Sequence, residues 1–90
     1  MRFEPDNDYE EVSLIEGLNK IFQDATLKLY SDGLEENEYM YHRTGHGICY
    51  EDDCVIGYHP EMAIERLSHY NWIKSHKFYV KRKEQQNAEV

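Results

Sequence analysis

The chain is poor in the residues that most often announce an activity. It has two cysteines in 90 residues, Cys49 and Cys54. They make neither a C-x2-C pair nor the disulfide framework of a small secreted domain. No apolar run approaches the ~18 residues that a membrane helix needs. The first residues, MRFEPDNDYEE, are acidic and lack the basic-then-apolar build of a signal peptide. A cytoplasmic chain with reduced thiols is the expectation. There is no repeat, linker or low-complexity tract. Residues 1–90 therefore read as one domain with a small core, a loose N-terminal arm over 1–8 and a polar C-terminal tail over 84–90.

Positive charge is scarce as well. Ten Lys and Arg stand against 18 Asp and Glu, a net charge of −8. The imbalance is concentrated early: residues 1–53 hold 14 acids and 4 bases, residues 54–90 hold 4 acids and 6 bases. Such a field repels nucleic-acid phosphates and favours basic partners.

What the chain does have is eight tyrosines and clear periodicity. Leu14, Ile15, Leu18, Ile21 and Phe22 recur at helical spacing, and Ser13 with Glu16 has capping-box spacing. A first helix is expected from Tyr9 or Ser13 to Asp24, with Gly17 costing it ~1 kcal/mol relative to Ala. Ala25 to Tyr30 reads as a strand, and Ser31-Asp32-Gly33 as a turn. In Glu38 to Tyr58, Tyr39 and Tyr41 alternate with Met40 and His42, Gly45 and Gly47 mark a tight reversal, and three short strands result. A two-residue loop at Glu51-Asp52 would set Cys49 opposite Cys54. Pro60 opens a second helix to about Ser75, with Glu61 near its N-terminus and Lys74, His76 and Lys77 near its C-terminus. Lys77 to Lys83 reads as a last strand at a sheet edge, guarded by lysine. The fold class is α+β: a small antiparallel sheet of four to five strands with two helices on one face, in the order α-β-β-β-β-α-β. The other face would carry many of the tyrosines.

Several groupings could carry chemistry. His42, His46, Cys49, Cys54 and His59 are suitable zinc ligands by type, but their spacing fits no zinc motif, and alternation divides them between two faces. A metal site is not expected, and no D-x-[DN]-x-[DN]-G calcium loop is present. The thiols have three acids beside them, which opposes a thiolate nucleophile. His46 between two glycines can serve as a general acid or base. Arg43 to Leu67 resembles the HicA-type endoribonuclease toxins in placing a Gly-His pair before a hairpin and a helix. The resemblance implies RNA cleavage at His46, whereas the charge lacks the basic face such cleavage uses. Tyrosines on a sheet can stack on bases, but only the last strand supplies the cations that mode needs.

The charge and the tyrosines point instead to a protein that acts by contact, with neither catalysis nor a cofactor. The expected contact surface is Glu35, Glu36, Glu38, Tyr39, Tyr41, Tyr50, Glu51, Asp52 and Asp53. Its carboxylates would steer association and its aromatic rings would hold the complex. Short acidic phage or mobile-element inhibitors of basic nucleic-acid-binding host proteins, of restriction or CRISPR type, resemble this chain in size and charge. The alternatives are a histidine-dependent hydrolase or ribonuclease centred on His46, and a homo-oligomeric structural protein such as a homodimer.

Overall fold

Ser13 starts the first helix as its spacing requires. Its backbone is extended, and its Oγ accepts a hydrogen bond from the Glu16 N–H at 3.1 Å, satisfying one of the helix's orphan donors. In the computed structural model, which describes residues 2–50 and 54–82, this helix is α1, Leu14–Gln23. Asp24 ends it, and its carboxylate accepts from the Thr26 N–H and hydroxyl, an Asx turn that feeds the chain into the next strand.

The strands are β1 (Tyr9–Val12), β2 (Lys28–Ser31), β3 (Met40–Arg43), β4 (Gly47–Tyr50), β5 (Cys54–Gly57) and β6 (Phe78–Lys81). They form one antiparallel sheet in the order β1-β6-β2-β3-β4-β5. The other helices are α2, Pro60–Leu67, and α3, Trp72–Ser75. The α+β class and the antiparallel sheet stand, but the described residues hold six strands and three helices rather than four to five and two.

The two extra elements have different causes. Tyr9 to Val12 becomes a strand by pairing with β6 in the register Tyr9↔Lys81 to Val12↔Phe78, which buries Val12. The expected second helix breaks after Leu67. The Ser68 hydroxyl donates to the Glu65 carbonyl at 2.7 Å, a local bond that competes with helix continuation. Because β1 exists, β6 lies inside the sheet between β1 and β2, and the edges are β1 and β5. The lysine of β6 therefore does not guard an edge.

The helices cover one face of the sheet. Leu18 and Ile21 of α1 meet Leu29, Met40, Ile48 and Val80 from four strands, with Ala63 and Leu67 of α2 alongside. Two glycines set the spacing. A Cβ on Gly17 would stand 2.5 Å from Leu29 Cδ1, so the residue that weakens α1 in isolation is what lets it lie close to β2. A Cβ on Gly57 would meet the Ala63 backbone nitrogen at 2.5 Å, so α2 rests directly on β5. Gly45 and Gly47 both have positive φ, as their place in the reversal predicts.

The β4–β5 register differs from the expected one. Tyr50 pairs with Cys54 and Cys49 with Val55, so the connection is residues 51–53, one longer than a two-residue loop. Since a one-residue shift moves a side chain to the opposite face, Cys49 and Cys54 do not face each other. Neither is in a disulfide; Cys49 is buried and Cys54 exposed. No helix among the described residues is long and apolar enough to cross a membrane.

Candidate binding surface

Strand alternation sorts the tyrosines. With Val12, Leu29, Met40 and Val80 turned to the helices, their neighbours Tyr9, Tyr30, Tyr39, Tyr41 and Tyr79 belong to the open face. Cross-strand pairing places Tyr30 beside Tyr79 and Lys28 beside Tyr41. The rings touch: Tyr9 meets Tyr30 edge-on at 5.4 Å, Tyr30 meets Tyr39 at 5.5 Å, and Tyr39 meets Tyr41 at 5.9 Å. The Lys28 ammonium sits 4.8 Å from the centre of the Tyr39 ring, a cation–π contact.

Phe3 brings residues 2–8 onto this face. Its N–H bonds the Leu34 carbonyl at 3.0 Å and its ring is 5% exposed. Arg2 donates to the Gly33 carbonyl at 2.6 Å. Two shallow depressions result, and Tyr9 and Tyr30 line both of them. The first, about 440 Å³, adds Phe3, the acidic residues Glu4, Asp6 and Glu36, and Arg2. The second, about 270 Å³, adds Lys28, Lys81 and Arg82. The aromatic pair thus separates an acidic hollow from a basic one.

The phenols resist ionisation. Burial, then the neighbouring Tyr9 and Tyr39 phenols and a hydrogen bond with Tyr9, push the Tyr30 hydroxyl above its ordinary value. Burial, then the carboxylates of Asp32 and Glu11, does the same at Tyr79. At neutral pH these hydroxyls are uncharged and can both donate and accept hydrogen bonds.

The residues expected to form the contact surface divide. Tyr39 and Tyr41 share the open face. Glu35, Glu36 and Glu38 lie in the loop just before them, where the Glu35 N–H donates to Glu38 Oε1 at 3.0 Å and the Glu38 N–H to the Glu35 carbonyl at 2.9 Å. That loop is therefore braced by its own carboxylate, and Glu36 is the member that opens onto the acidic hollow. Tyr50 packs against the core under the helices, on the far side of the sheet from Tyr39 and Tyr41. Glu51, Asp52 and Asp53 lie outside the described residues. Sequence reasoning missed Phe3, Glu4, Asp6, Tyr9 and Tyr30. Tyr30 carried a usable signal in the alternation of its strand, and Tyr9 and Phe3 carried none.

The histidines are dispersed among different elements. His46 is exposed on its turn, with Nδ1 3.4 Å from the Thr44 carbonyl. His42 is on the helix side, its ring stacked 4.6 Å from Phe22, and its buried Nδ1 has no hydrogen-bond partner among the described residues. His59 precedes α2 with Nδ1 3.0 Å from Glu61. His76 Nδ1 lies 3.1 Å from Asp32 Oδ1, which also accepts from the Lys77 N–H at 3.0 Å. Among the described residues no three His, Cys, Asp or Glu side chains gather as a metal-binding group. No protein-family model matches the chain, and no curated protein or solved structure is significantly similar to it.

Proposed function

We propose that this chain is a binding protein that engages a basic partner protein through the open tyrosine face of its sheet, with the acidic hollow as the point of entry. The partner class that fits is a protein that itself holds nucleic acid and so presents lysines and arginines, such as a host restriction or CRISPR-type complex. One observation carries the reading: Glu4, Asp6 and Glu36 open onto the same hollow as the rings of Phe3, Tyr9 and Tyr30. Carboxylates beside aromatic faces suit a lysine or arginine side chain, which gains Coulomb attraction and cation–π contact together. Steering by the net charge of −8 would speed encounter, and the rings would slow release.

The experiment is capture on the immobilised chain from host extract, followed by kinetics with the captured protein. Glu4→Lys, Asp6→Lys and Glu36→Lys together should slow association at least tenfold at low salt and flatten its ionic-strength dependence. An on-rate equal to wild type rejects the reading. A second reading, self-association, draws on β5. It is an edge strand next to the exposed side chains of Tyr58 and Met62, and unpaired strand edges invite pairing. Light scattering over a concentration series decides it.

A further inference from the structure

The opposite face of the sheet holds a cavity that the tyrosine surface does not use. We propose that this cavity, between β3–β5 and the α2–α3 break, binds a small planar apolar molecule carrying one anionic oxygen group, of the aromatic carboxylate or sulfonate class.

The cavity follows from the break. Because α2 stops at Leu67 and α3 begins at Trp72, the helical layer leaves a space of about 420 Å³. Its apolar lining includes Leu34, Met40, Ile56, Leu67 and Trp72. Met40 is 1% exposed and Leu34 and Leu67 are 6% exposed, so the space reaches the core. Well-packed interiors leave few voids larger than a water molecule, whereas pockets for small ligands start at about 300 Å³ and are mostly apolar with few polar groups. The indole of Trp72 and the rings of Tyr50 and Tyr70 supply flat surfaces. Arg66 is the one charged residue among the described lining residues. Its Nη1 makes a long 3.4 Å contact to the Val55 carbonyl. A guanidinium has five N–H donors in a planar fork that matches a carboxylate or sulfonate. An apolar floor, flat walls and the Arg66 cation select the ligand class.

Two of the lining residues make the test direct. Trp72 is the sole tryptophan, and Cys54 is the exposed thiol of the two. The probes are 8-anilinonaphthalene-1-sulfonate and N-phenyl-1-naphthylamine, which share their rings and differ in the sulfonate. The sulfonate probe should bind one to one, quench Trp72 by energy transfer, and slow alkylation of Cys54 by N-ethylmaleimide at least fivefold. Arg66→Gln should weaken it about tenfold, the worth of one charge-assisted hydrogen bond, and leave the neutral probe unchanged. Cys54→Phe, at an exposed position on the rim, should abolish binding of both probes while the far-ultraviolet circular dichroism stays that of wild type. Equal affinity for the two probes in wild type and Arg66→Gln overturns the anionic assignment. Unaltered Cys54 alkylation with the sulfonate probe bound overturns the site. The tyrosine face takes no part in either readout, so this outcome is separate from that of the partner-binding reading.

Discussion

Phe3 and Tyr30 stack face to face, with ring centroids 4.7 Å apart and planes 11° from parallel. Phe3 also meets Tyr9 edge-on at 5.0 Å and Tyr79 at 5.8 Å. One side chain from the arm therefore joins rings from β1, β6 and β2. It also helps to place the acidic hollow, because Glu4 and Asp6 follow Phe3 in the chain and line the same depression. Phe3→Ala removes a buried aromatic ring and should cost about 3 kcal/mol. In urea the midpoint should fall with the slope unchanged. A loss under 0.5 kcal/mol would show that the arm contributes nothing to stability.

The raised phenols fix a pH dependence. A tyrosine whose folded value lies above its unfolded value of about 10 keeps its proton longer in the native state. Between the two values the native state binds more protons, so stability falls as pH rises. The contribution of Tyr30 and Tyr79 is present below pH 10 and is lost as pH climbs through their raised folded values. Absorbance at 295 nm should show some phenols ionising later than free tyrosine. Urea stability should decline above pH 10, and Tyr30→Phe should reduce that decline. An identical alkaline slope in Tyr30→Phe would count against the assignment.

The sequence made the locally determined parts legible. Ser13 capped the helix, Tyr39 to His42 alternated, and Pro60 opened α2, because each depends on neighbours in the chain. The missed parts depend on distant partners. Four residues, Tyr9–Val12, are too few to declare a strand until β6 pairs with them, and that pairing in turn moves β6 from the edge to the interior. Tyr50 lies on the helix face because β4 pairs it with Met40, a register that the Gly45–Gly47 reversal fixes only once β3 and β4 meet. Charge is redistributed most by folding. Lys28 and Lys81, far apart in sequence, share one basic hollow with Arg82, so a chain of net −8 carries a local cationic patch inside its tyrosine face.

His42 is the structure's clearest local conflict. Its ring stacks on Phe22 while its Nδ1 is buried without a partner among the described residues. A polar atom left so costs about 1–3 kcal/mol. Phenylalanine keeps the stacked ring and removes that atom. His42→Phe should therefore raise stability by about 1 kcal/mol, read as a higher urea midpoint. If the midpoint drops, the imidazole nitrogen has a role that the fold alone does not supply.

Lys28 and Lys81 allow steering to be separated from holding. Both are cations on the proposed contact face, and a cationic partner is repelled by each. Removing either charge should speed association two- to threefold at low salt, with the difference fading above about 0.5 M as screening shortens. Their effects on release should differ. Lys28 also stands over the Tyr39 ring at 4.8 Å, a contact worth about 0.5–1 kcal/mol at an exposed site. Lys28→Gln loosens that ring and should raise the off-rate about threefold. Lys81→Gln makes no such contact among the described residues and should leave the off-rate unchanged. If neither variant changes the on-rate or the off-rate, the partner does not dock on this face. If both alter only the off-rate, the face holds the partner without guiding it, and the acidic field has no part in recognition.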